Sequence, residues 1–197
     1  AFTRERKLAV ARRSHELLTG RFGLDPQDVI IDPLVFPAAS GDEAYIGGAV
    51  ETLEGLRLIR AALPSSRTIL GISNVSFGLP TAAREVVNSV FLYLATRAGL
   101  DLAIVNTERI ERYASIPEQE RRMAELLLLN APPAADDVRD DHGARELLVT
   151  APEDWREQSP EQRAAINRFH IERLADHFRG ASTRSRVAVE QLPLDER

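Results

Sequence analysis

From Ala1 to Asn130 the apolar positions follow two alternating rhythms, one at helical spacing and one unbroken. Between Thr3 and Leu18, the apolar Leu8, Val10, Ala11, Leu17 and Leu18 sit among charges at helical spacing, which predicts a first helix. Gly20 and Gly23 are expected to close it. Val29-Ile30-Ile31 is then an unbroken apolar run ended by Asp32-Pro33, and such a run predicts a strand buried on both faces. Pro33 has no amide to donate to a ladder, so the strand stops there. Glu43–Leu63 reads as a second helix, with Val50, Leu53, Leu56, Ile59 and Leu63 as its stripe and Pro64 as its stop. Thr68–Asn74 is the next buried strand, and Ala82–Ala98, terminated by Gly99, the next helix. Leu100–Asn106 is a third buried strand. Pro117–Leu129 opens on Pro-Glu-Gln-Glu, the acidic first turn that complements a helix N-terminus.

Strands alternating with helices of this length imply βαβ units and a parallel sheet. Three strands cannot close a barrel, and a complete (β/α)8 barrel takes roughly 250 residues. The expectation is therefore a small open sheet or one part of a larger barrel, and a chain that opens inside a helix favours the part. Residues 1–130 form this βα region. Residues 131–149, rich in Ala, Pro and Asp, read as a linker. Residues 150–180 read as a helical extension that starts at Ser159-Pro160-Glu161, carries Ile166, Phe169, Ile171, Leu174 and Phe178, and ends at Gly180. Residues 181–197 read as an extended connector.

Composition narrows the chemistry. With 25 Lys+Arg against 30 Asp+Glu the 197-residue chain carries a net charge of −5, and no dense basic run points to nucleic acid. There is no cysteine, which removes disulfides, thiolate metal sites and cysteine nucleophiles. The histidines (His15, His142, His170, His177) match no metal-binding spacing, and Gly47-Gly48, Gly71 and Gly78 match no dinucleotide or P-loop pattern. No apolar run is long enough to span a bilayer, and the basic Ala1–Arg13 lacks the apolar run of a signal peptide, so a cytoplasmic location without membrane contact is expected.

Every expected strand ends on a short polar residue: Asp32, Asn74 and Asn106. In parallel α/β architectures the ligand lies outside the carboxyl ends of the strands. A carboxylate there can accept a bidentate pair from an amidine-like edge such as a 2-amino-4-oxopyrimidine, and an amide can both donate and accept. The competing reading is that Asx residues end strands because they make turns. In the loop Asn74–Pro80, Phe77 can cover an aromatic ligand, and Arg84 at the entry of the next helix can meet an anionic tail, although on the residues alone a solvated charge is the better reading of Arg84. His15 and His170 are expected in surface or capping roles, Trp155 as a pin between tail and barrel, and Asp136, Asp137, Asp140 and Asp141 as linker solvation.

The stretches ERKLAVARRS, DVIIDPLVFPAASGDE, TILGISNVSFGLP, NSVFLYLATRAGLDLAIVN and ERYASIPEQER resemble the pterin (folate)-binding domain of cobalamin-dependent methionine synthase. The resemblance covers Ala1–Asn130, and the tail is similar to the linker toward that family's cobalamin-binding cap. It implies an α/β fold, the C-terminal part of a TIM barrel of the dihydropteroate-synthase-like type, followed by a helical tail. The implied activity is that of a methyltransferase. By that resemblance 5-methyltetrahydrofolate would bind at the strand ends and present its N5-methyl group to cob(I)alamin on other domains, for methionine biosynthesis. Cobalamin would be held elsewhere, and zinc only by the absent homocysteine domain.

The resemblance matches Asp32 to the family's pterin-binding aspartate and Asn74 to the asparagine that approaches N5 and assists transfer. Arg84 matches the arginine following GLP, with shifted spacing, and Asn106 stands at the last strand's end. The earlier strands, expected as the N-terminal half of the same barrel, would be a partner, and this chain alone would be inactive. Alternatives are another pterin-barrel corrinoid-protein methyltransferase, a dihydropteroate synthase relative, or a non-catalytic fragment docking the cobalamin module through Thr150–Arg197. The synthase relative needs a lysine–arginine pair for pyrophosphate, and the lone lysine, Lys7, lies in a helix.

Overall fold

The computed structural model describes residues 1–138 and 144–181, so most of the expected connector, together with His142, Asp140 and Asp141, lies outside the described residues. Its sheet has three strands in the order β1 (Ile30–Ile31), β2 (Arg67–Gly71), β3 (Leu102–Ile104), all parallel. Ile31 pairs with Thr68, and Ile69, Leu70 and Gly71 pair with Leu102, Ala103 and Ile104. Four helices follow the βα rhythm: α1 (Arg4–Glu16), α2 (Gly48–Ala62), α3 (Thr81–Arg97) and α4 (Glu118–Leu129).

The element boundaries depart from the periodicity where backbone chemistry intervenes. Helix α1, capped by the Thr3 hydroxyl on the Arg6 amide, runs on as a π-helical turn over Leu17–Arg21 and passes through Gly20, which was expected to close it. Helix α2 begins five residues later than expected. Glu43–Tyr45 is a separate 3-10 turn capped by Asp42, and Gly47 stands at φ +78° between the two. A side chain at Gly47 would meet the Trp155 ring at 2.6 Å, so glycine is required there twice over. Strand β2 ends at Gly71, and Ile72–Ser76 is a 3-10 turn.

The core lies on one face of the sheet. Thr68 and Leu70 of β2 turn toward the helices and are buried with Leu56, Val86, Val90 and Phe91. Among the described residues the opposite face is left largely open. On it Ile30 is 50 %, Leu102 37 % and Ile104 63 % exposed, and Ala103, which pairs with Leu70 on the helix side, is exposed too. The expectation that the strands are buried on both faces is thus corrected. An apolar strand residue is sealed only where a second layer covers its face, and α4 packs on α3 and the tail instead of covering β3.

The tail is a packed part of this body. Helix α5 (Ala144–Val149), within the stretch read as a linker, buries Leu148 together with Val138 and Ile166. Helix α6 (Pro160–His177) starts at the expected place through a capping box: Ser159 and Gln162 bond each other's backbone amides, with Pro160 in the first turn. Its inner face carries Ile166, Asn167, His170 and Leu174. Asn167 donates to the Ala38 carbonyl at 2.8 Å, Trp155 lies on Gly47, and Arg156 reaches Glu51 on α2 and Glu5 on α1. His170 is buried rather than superficial. Its Nε2 lies 2.7 Å from the Ala131 carbonyl, and burial pushes its pKa down to about 4.

Candidate functional site

Because the strands are parallel, their carboxyl ends lie at one edge of the sheet. Asp32 directly follows β1, Asn74 lies three residues past β2, and Asn106 two past β3. Neighbouring strands are ~4.8 Å apart, so residues at three successive strand ends span ~10 Å, about the length of a fused two-ring heterocycle.

Asp32 is exposed and sits in an Asx turn: its Oδ1 accepts the Leu34 amide at 2.8 Å, and Leu34 takes the left-handed φ of +66°. Behind the turn stands Lys7, 2 % exposed, whose ammonium donates to the carbonyls of Pro33 (2.6 Å) and Leu34 (3.0 Å). Burial lowers its pKa to about 8, against the opposing pull of Glu51 and Asp32.

Asn74 stands in the 3-10 turn rather than at the last strand position. Its side chain is exposed and makes no hydrogen bond among the described residues. The Asn74 and Asp32 loops are sewn together. The Ala38 amide donates to the Val75 carbonyl at 2.8 Å, and Gly78, at φ +103°, lies so close that a Cβ would stand 2.1 Å from the Ala39 oxygen. The glycine of the SFGLP stretch is therefore a contact requirement between the two loops.

Arg84, in the first turn of α3, is fixed and not merely solvated. Its Nε donates to the Ser76 hydroxyl at 3.0 Å, its Nη2 to the Ser73 carbonyl at 3.2 Å, and its guanidinium lies 4.8 Å from the Phe77 ring centre. Asn106 spends one oxygen lone pair on its own turn, accepting the Glu108 amide at 3.1 Å. Arg84 and Asn106 line one cleft of about 400 Å³ between the ends of β2 and β3, with Ser73, Glu85, Asn88 and Arg109.

Asn88, Glu85 and Arg109 are cleft residues that pattern reasoning passed over. The usable signal was helical spacing, since Asn88 falls one turn after Arg84 and so shares its face. The Asn88 Oδ1 is buried with no hydrogen-bond partner among the described residues, which leaves an acceptor facing a polar cleft. Asp32 lines a different cavity, of about 220 Å³, between α1 and β1. The fold thus gathers Arg84 and Asn106, sets Asn74 beside the cleft-lining Ser73, and keeps Asp32 on the β1 side.

This set offers hydrogen-bond donors, acceptors and a held cation. Among the described residues no cluster of three or more His, Asp or Glu side chains is placed to hold a metal ion. No helix of the described residues is long and apolar enough to cross a membrane.

Residues 2–106 match the family described as pterin binding enzyme. The chain is 42 % identical over 124 residues to the methionine synthase of Mycobacterium tuberculosis (strain ATCC 25618 / H37Rv), and 41 % over 124 residues to that of Mycobacterium leprae (strain TN). Each match covers 63 % of this chain but only 10 % of the relative, so the chain spans about a tenth of the length of these proteins.

Proposed function

The chain belongs to the pterin-binding enzyme family, as part of a TIM-type barrel, and from that premise we propose that it binds 5-methyltetrahydrofolate and presents its N5-methyl group for transfer within a methionine synthase. The observation that carries the reading is the delivery of Asp32, Asn74 and Asn106 to one edge of a parallel sheet, beside a polar cleft that holds Arg84.

Each residue has a distinct task. Asp32 keeps one carboxylate oxygen outside its Asx turn, an acceptor for the amidine-like edge of a pterin. Arg84 and Asn106 add a fixed cation and an amide donor on the far side of the site. Asn74 is the group for the chemical step. A tertiary amine leaves poorly, so as the methyl–N5 bond breaks, N5 keeps the electron pair and must hold a proton. The Asn74 amide, without a hydrogen bond among the described residues, can turn its oxygen toward that N5–H as it forms. A partner for the N5–H that is stronger in the transition state than in the ground state is what catalysis needs.

The methyl acceptor is cob(I)alamin carried on other domains, and it supplies the nucleophile. At about 400 Å³ the cleft suits a small heterocycle and not a corrin macrocycle, so no residue here is assigned to cobalamin. The bare apolar face at Ile30, Leu102 and Ile104 and the outer edges of β1 and β3 support the remaining βα units of the barrel as the partner of this chain.

Calorimetric titration with 5-methyltetrahydrofolate, with the solution mass recorded by light scattering, tests the reading. Micromolar binding supports it. A well-folded sample that includes the completing strands and does not bind overturns it.

A further inference from the structure

Resting on the folate reading above, we propose that Lys7 is a positioning residue: its buried ammonium braces the Asp32–Leu34 turn and so aims the Asp32 carboxylate at the ligand. The turn needs a brace. Leu34 holds φ +66°, a left-handed conformation unfavourable for a residue with a Cβ, and it does so two residues after the one proposed to bind pterin. The Asx bond from the Leu34 amide to Asp32 holds the turn from one side only and leaves the Pro33 and Leu34 carbonyls to other partners.

The structure supplies the brace from behind. Lys7 on α1 donates to the Pro33 carbonyl at 2.6 Å and to the Leu34 carbonyl at 3.0 Å, holding the Pro33–Leu34 and Leu34–Val35 peptide planes on either side of the Leu34 α-carbon. From α2 the buried Thr52 hydroxyl stands 3.1 Å from the same Leu34 carbonyl, sharing its one proton with the Gly48 carbonyl at 2.8 Å. Room for the lysine stem is kept by Gly55, where a Cβ would come within 2.9 Å of the Lys7 Cδ. Its ammonium lies 5.1 Å from the Phe36 ring centre. A buried ammonium is costly to keep, and here it is turned to backbone carbonyls instead of a carboxylate. Lys7, the sole lysine of the chain, thus has a geometry beyond packing.

The test compares wild type with Lys7→Met, which keeps the stem and removes the donors. Two quantities are read: hydrogen exchange of the Leu34 amide relative to the Val90 amide in α3, and the Kd for 5-methyltetrahydrofolate. Loss of charge-assisted bonds is expected to speed relative Leu34 exchange by about 10-fold or more and to weaken folate binding by a similar factor. A role in packing alone would change both amides together. Unchanged relative exchange overturns the brace, whatever folate does. Faster exchange with undiminished folate affinity overturns the link to Asp32. Faster exchange in a chain whose wild type ignores folate supports the brace and sinks the folate reading instead. Should Lys7→Met not fold, Gly55→Ala retains every polar group and displaces the stem. It is expected to give the same shift in smaller size, and no shift there overturns the proposal.

Discussion

The loops that follow β1 and β2 solve opposite problems at the same sheet edge. The first is held on every side: Lys7 and Thr52 from behind, Asp32 across its own turn, and Asn167 of α6 on the Ala38 carbonyl. The second carries, in Asn74, an amide with no hydrogen bond among the described residues, set in a 3-10 turn whose backbone is held by Arg84 through the Ser73 carbonyl. A rigidly aimed acceptor suits recognition of a fixed ring edge. An amide free to turn suits a group whose hydrogen bond must strengthen only as a proton arrives at N5. The backbone is thus restrained in both loops, while among the described residues the Asn74 side chain is left without a hydrogen bond.

Removing the free amide tests that contrast most severely. Asn74→Ala is expected to slow methyl transfer by about 10²–10³-fold, the usual loss for one preorganised group, with a much smaller change in folate Kd. Equal losses in rate and affinity would mean that Asn74 only binds.

The seam between the loops comes next. Gly78→Ala forces a side chain to φ +103° and against the Ala39 carbonyl, and is expected to destabilise the protein by about 1–3 kcal/mol in thermal or denaturant unfolding. A neutral effect would show that the loops are not coupled there.

Asp32→Asn leaves an acceptor for the Leu34 amide and removes the charge offered to the ligand. It is expected to weaken folate binding by about tenfold and to leave the rate from bound complex nearly unchanged. A rate loss larger than the binding loss would put Asp32, not Asn74, at the chemical step.

The mildest expected effect runs through the tail that backs the first loop. His170 has its pKa lowered from 6.5 to about 4 by burial, so between those values the unfolded chain binds a proton that the folded one refuses. Its contribution is therefore intact above pH 6.5 and is lost as pH falls toward 4. Trp155, the one tryptophan, packs on Gly47 and reports undocking by its fluorescence. His170→Gln is expected to flatten the pH dependence of that signal; an unchanged slope would assign the acid sensitivity to other groups.

Much of this was legible in the linear pattern. The βα order, the parallel sheet, the Ser159 start of α6 and the Asx residues past each strand followed from periodicity and turn chemistry, which act over a few residues. Arg84 was visible only as a charge, because its bonds to Ser73 and Ser76 depend on how the 3-10 turn folds back on α3. Asn88 and Arg109 had no distinct local signal, and Lys7 was legible only as the lone lysine of a helix, because nothing nearby in sequence says that α1 lies over the turn after β1.

The sequence by itself determined the alternation of strands and helices over residues 1–130, the start of α6, and the family to which the pattern belongs. Tertiary structure alone decided which sheet face is sealed, which loop is braced and which amide is left free. Those outcomes depend on contacts such as Lys7 with Pro33, Gly78 with Ala39 and Asn167 with Ala38, made by residues far apart along the chain. Apolar periodicity marks a face as able to be buried, but only a second packed layer buries it.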